Sequence, residues 1–132
     1  MYFKWIVIKM RKKMMLALMI MSCCTFDCIA GEAIFDCKYL KYSDSSGLRK
    51  FSVPFTFKLI WDLDKSEALM KTTRQEKKLK INDSLDFVSF IQVLEGGGVA
   101  VTSISKSNGS SVHSLNQFGL SQQAYGICKF SA

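Results

Sequence analysis

The chain has one proline and one histidine in 132 residues, and what it lacks narrows the chemistry open to it. A lone His113 offers no second imidazole for a metal centre. The sequence also contains no Gly-x-Ser-x-Gly elbow to present an activated serine. Gly96-Gly97-Gly98 is followed by Val99, with neither the lysine nor the helix of a phosphate-binding loop. No segment shows sustained helical periodicity, and no apolar run reaches the roughly 20 residues a membrane-spanning helix needs. Carboxylates come in turn-like settings, Asp62 with Asp64 and Asp83 with Asp86, which suits solvated turn acids better than a catalytic pair. These absences leave a small β-rich domain with no metal and no cofactor expected.

Five cysteines divide unevenly along the chain. Met10-Arg11-Lys12-Lys13 followed by the apolar run Met14 to Phe26 and by Cys28-Ile29-Ala30 reads as a secretory signal peptide cut after Ala30, with residues 31–132 as a single exported domain. Met1 to Lys9 then precedes a normal leader, as an upstream start codon would produce. Loss of Lys4, Lys9, Arg11, Lys12, Lys13 and Asp27 takes the formal charge from +7 to +3. That balance creates no electrostatic demand for nucleic acid. The one basic cluster, Lys77, Lys78 and Lys80, reads as a solvated hairpin. Cys23, Cys24 and Cys28 leave with the leader, so Cys37 and Cys128 remain as an even pair expected to form a disulfide in an oxidising compartment. The alternative is a lipoprotein anchored at Cys23, from the imperfect lipobox Ile20-Met21-Ser22-Cys23.

Within the domain, Phe87 to Ile104 forms the organising hairpin, two β-rich runs around the glycine turn Glu95 to Gly98. Val88, Phe90 and Leu94 alternate with Phe87, Ile91 and Val93, so neither face of that strand looks fully wet, as in an interior strand. Phe55, Phe57, Leu59 and Trp61 fall on one face of the cleanest alternating run, which is expected to begin just after Pro54. Phe35 to Tyr42 opens the domain as a strand, and Ser43 to Gly47 is turn chemistry. Ala68 to Thr72 and Lys78 to Ile81 read as short strands, with one helix over Lys65 to Leu79 as the alternative. Asn108-Gly109 predicts a two-residue type I′ turn leading into Ser111 to Phe118. Gly119 to Gln123 reads as a loop, and Ala124 to Phe130 as a short last strand. The expectation is an all-β fold, an antiparallel meander of seven or eight strands forming a small barrel or sandwich, its terminal strands joined by the disulfide. Its predicted core includes Phe55, Phe57, Leu59, Trp61, Phe90, Val99, Val101 and Ile104.

Phe90-Ile91-Gln92-Val93-Leu94-Glu95, Gly98 to Ile104, Val112-His113-Ser114 and Ser121 to Cys128 together resemble a loosely defined group of small exported proteins of Gram-negative bacteria. The likeness covers the C-terminal third. After Ser114 such proteins often continue with a basic-histidine pair, where this chain has Leu115-Asn116, so no role for that pair carries over. The resemblance implies an exported, disulfide-bonded β domain and no activity. A fainter likeness, in size and terminal cysteines, is to the barrel-shaped periplasmic inhibitors of lysozyme, whose inhibitory loop has no counterpart in Ser46-Gly47-Leu48-Arg49.

A function by binding follows from these features. The expected partner is a protein of the cell envelope, contacted through a patch around His113, Gln122 and Tyr125. Alternatives are a carrier of a small apolar ligand in a barrel interior lined by Trp61, Phe55 and Phe57, and a hydrolase using His113 with a nearby serine.

Overall fold

The structure, a computed structural model, describes residues 31–131. The leader, the cut after Ala30 and the Cys23 anchor therefore lie outside the described residues. Eight strands follow one another: β1 (Glu32–Asp44), β2 (Gly47–Asp62), β3 (Glu67–Lys71), β4 (Glu76–Asp83), β5 (Phe87–Val93), β6 (Gly98–Ser105), β7 (Ser110–Gln117) and β8 (Leu120–Ser131). Each pairs antiparallel with the next, and β8 pairs back onto β1 to close a barrel. Among the described residues no helix is long and apolar enough to cross a membrane.

Alternation drives the closure. In β6 Ala100, Thr102 and Ile104 are buried while Val99, Val101 and Ser103 face outward, and β5 likewise buries Val88 and Phe90. The interior is filled with side chains: Tyr39, Leu59, Val88, Phe90, Thr102 and Ile104 are the largest fully buried ones, with Phe57, Met70 and Leu79 packed among them. Truncating a residue such as Phe90 to alanine costs about 3–5 kcal/mol in cores of this kind. Trp61 belongs to the edge of this core, meeting the Phe90 ring edge-on at 6.3 Å. The centre of the barrel is thus filled, while Trp61 borders an open cavity together with Phe35, Val88 and Ile104.

Cys37 and Cys128 are bonded, and the two residues face each other in the β1–β8 ladder. The covalent link therefore fastens the seam at which the meander becomes a barrel. It closes a loop of 91 residues, which chain entropy alone values at up to about 4–5 kcal/mol through the unfolded state.

Several expectations give way to the tertiary structure. The span Lys65 to Leu79 forms strands and not a helix, because Ala68, Met70 and Leu79 alternate into the core. Val99 and Val101 are not core residues; they occupy the outer face of β6, and Phe87 and Val93 are likewise exposed on β5, so only one face of that strand is dry. β8 already begins at Leu120, so Gly119 to Gln123 is not a loop. The Asn108-Gly109 turn is not type I′, since only Gly109 takes positive φ and its N–H donates to Ser105 O four residues back at 2.9 Å. The tertiary fold sets this geometry: Gly109 lies against β8, where Cys128 N–H donates to Gly109 O, and a Cβ at position 109 would come within 2.5 Å of Cys128 O.

Pro54 lies inside β2 and does not precede it. The β1–β2 register passes from Tyr39↔Phe55 to Lys41↔Lys50, leaving Phe51 to Pro54 opposite Leu40 alone. On its other edge β2 pairs with β3 only from Lys58 to Trp61. No ladder thus requires the N–H that proline lacks. This bulged segment lies towards the end of the barrel that carries the β1–β2, β3–β4, β5–β6 and β7–β8 turns.

Candidate binding site

A pocket opens beside the bulged segment. Tyr42, Phe51, Phe55, His113, Leu115, Gln122, Gln123 and Ala124 line a cavity of about 240 Å³ at the barrel mouth. The walls follow from the register: Thr102, His113, Ala124 and Tyr42 are successive partners across β6, β7, β8 and β1, all on the inner face. Phe51 comes from the bulged segment of β2, and Phe55 follows directly after it as the ladder partner of Tyr39. Their rings form a chain, Tyr42 with Phe51 at 4.7 Å and Phe51 with Phe55 at 6.1 Å between centroids.

His113 forms the polar floor. Its Nδ1 shares a hydrogen bond of 2.8 Å with Thr102 Oγ1, a group that is 1 % exposed. Phe55, Phe57 and Tyr39 surround the ring, with centroids at 5.8, 5.5 and 6.0 Å. With no carboxylate among these neighbours, burial pushes the imidazole pKa below its ordinary 6.5 and the ring is neutral at pH 7. Among the described residues Nε2 makes no hydrogen bond, yet no buried side-chain nitrogen or oxygen lacks a partner. Nε2 therefore keeps some exposure, on a residue that lines the pocket.

Beneath it Tyr39 is wholly buried, its ring stacked on Phe57 at 5.4 Å and its hydroxyl 2.7 Å from Ser111 Oγ. Burial raises the phenol pKa from 10.0 to about 12, against the smaller opposing effect of the Ser111 bond. Gly126 is the cross-strand partner of Tyr39 and leaves room for this ring. A Cβ there would collide with Lys38 O and stand 2.8 Å from both Tyr39 Cα and Cδ1.

The three residues expected to share one patch separate. His113 and Gln122 turn inward to the same pocket, whereas Tyr125 faces outward, 39 % exposed, with its hydroxyl donating to Gln123 Oε1 at 2.9 Å and lying 3.3 Å from Ser43 Oγ. His113 and Gln122 are thus recessed, and Tyr125 alone of the three lies on the outer surface. Tyr42, Phe51 and Thr102 escaped the sequence reading because Phe51 lies in a stretch that resembled a loop and the others become partners of His113 only through strand pairing.

Tyr125 belongs instead to a second feature, the outer wall of β5 to β8. Three cross-strand rows cover it: Val93–Val99–Asn116–Ser121, Ile91–Val101–Ser114–Gln123 and Ser89–Ser103–Val112–Tyr125. None of these positions is charged. Lys80 flanks the second row on β4 and Lys41 the third on β1. The opposite wall is built otherwise, with the row Lys129–Asp36–Lys58–Lys71–Glu76 running across β8, β1, β2, β3 and β4 and holding ion pairs at 3.4 Å between Lys58 and Asp36 and between Lys71 and Glu76.

No protein-family model, no curated protein and no solved structure matches the chain.

Proposed function

We propose that the protein is an exported binding protein whose β5–β8 wall docks onto another protein of the cell envelope. The observation that carries this reading is the charge-free wall on a barrel whose other side is densely charged. Protein interfaces are depleted of charge at their centre and polar at their rim, with tyrosine enriched as an anchor. Four strands at about 4.8 Å spacing and three rows about 7 Å apart give roughly 400 Å², half of what one partner contributes to an interface of standard size. Lys41, Lys80 and the turns around them supply the rim. The disulfide supports an oxidising compartment.

A hydrolase finds less support. The hydrogen bond His113 makes through Nδ1 goes to Thr102, which is too buried to meet a substrate, and Ser111 is engaged by Tyr39.

Affinity capture from envelope extract tests the proposal. Ser114→Glu and Ser103→Lys change only the wall and should each abolish recovery of the specific partner, because a charge would be buried unpaired at the centre of the contact. Lys58→Glu, on the opposite side, should leave recovery unchanged. A partner that survives both wall variants, or the recovery of none, refutes the proposal.

A further inference from the structure

We propose that the barrel-mouth pocket binds a small uncharged aromatic molecule bearing one hydroxyl or carbonyl group, its ring against Tyr42, Phe51 and Phe55 and its polar atom on His113 Nε2. The pocket lies on the inner face of the strands, so this binding is separate from contact through the outer wall.

Size sets the first limit. A cavity of about 240 Å³ falls below the ~300–1,000 Å³ of drug-sized sites, which leaves room for about one substituted ring. Charge sets the second. No Lys, Arg, Asp or Glu lines the pocket, so an ion entering it would shed its hydration with no counter-charge in reach. Wall chemistry sets the third. The Tyr42, Phe51 and Phe55 rings meet at tilted angles of 36° and 41°, an arrangement that offers both faces and edges to another ring.

The hydrogen-bonding partner is adaptable. Thr102 Oγ1 can donate to Nδ1 of His113 or accept from it, and the tautomer follows. In the first case Nε2 is protonated and donates to a ligand oxygen; in the second it accepts from a ligand hydroxyl. A phenol satisfies either state. Because Thr102 is held in the core, the imidazole plane is set before the ligand arrives, so little ordering of this group opposes binding.

The test uses p-cresol as probe, with benzoate as its charged counterpart and cyclohexanol as its non-aromatic one. Titrations of the full chain are followed by ¹H–¹³C NMR of the aromatic rings. Saturable p-cresol binding is expected, with shifts concentrated at Tyr42, Phe51, Phe55 and His113, and with benzoate and cyclohexanol at least tenfold weaker. His113→Phe keeps a ring in place but removes the hydrogen bond, and should weaken p-cresol about tenfold, the equivalent of about 1.4 kcal/mol. Leu115→Trp should fill the pocket and eliminate binding, with Gln122→Trp serving the same purpose if the first variant does not fold. Absence of saturable binding at millimolar p-cresol, equal affinity for benzoate, or p-cresol binding unaffected by the pocket-filling variants would each overturn the proposal.

Discussion

Replacing Tyr39 by phenylalanine isolates one hydroxyl at the centre of the barrel. The ring remains, stacked on Phe57, while Ser111, only 4 % exposed, loses the partner 2.7 Å away. A buried hydroxyl left unpaired costs about 1–3 kcal/mol, and that is the deficit expected at neutral pH. The deficit should then shrink in alkali. In the fold the phenol pKa stands at about 12 against 10.0 in the unfolded chain, so the folded state holds its proton more tightly. This contribution is fully present below pH 10 and is lost as pH rises from 10 towards 12, because the unfolded chain releases the proton first. At about 1.4 kcal/mol per pH unit, the wild-type protein forfeits roughly 2–3 kcal/mol across that interval, and Tyr39→Phe forfeits none of it. Urea unfolding of both proteins at stepped alkaline pH, with the disulfide intact and Trp61 emission as signal, measures the difference. A stability gap that stays constant from neutral pH to pH 11.5, or a Tyr39 phenolate that forms at the ordinary pKa in ultraviolet titration of the native protein, would refute the argument.

Three other expectations concern neighbouring parts of the barrel. Lowering the pH below about 6.5 should destabilise the domain, because the unfolded chain takes up a proton that buried His113 resists; acid titration of the unfolding midpoint should show this dependence weakened in His113→Gln. Gly126→Ala should destabilise by more than the roughly 1–3 kcal/mol of ordinary overpacking, since the methyl meets β1 backbone; an unchanged thermal midpoint would contradict the close approach of the two strands. Reducing Cys37–Cys128 should lower stability by up to about 4–5 kcal/mol without shifting the strand pairing, which denaturation with and without reductant, alongside circular dichroism, can follow.

Alternation made much of the barrel legible. Phe55, Phe57, Leu59 and Trp61 recur every second residue, and their face is the one turned inward. The glycine turn after Leu94 and the pairing of two distant cysteines were equally visible, since each depends on residue type more than on surroundings. The same rule misassigned Val99 and Val101, because Ala100 and Thr102 are smaller and less apolar yet occupy the inside. The interior is already filled by Tyr39, Phe57 and Phe90, and Thr102 is the cross-strand partner of Phe90. The candidate site was half legible. His113 and Gln122 were singled out and do meet, but the aromatic walls were not recognised as belonging with them.

The order of apolar and polar residues along each strand, a local property, determined by itself that this chain would form antiparallel strands and bury one face of them. Which face of β6 went inside, whether the sheet closed, and which strangers in sequence became neighbours were decided only in three dimensions. Phe51 shares a pocket with His113 where the β1–β2 register slips between Tyr39 and Lys41, and Thr102 holds the imidazole because it lies opposite on β6. Register and closure are set by the packing of all the inward side chains into one volume, a constraint that no single segment expresses.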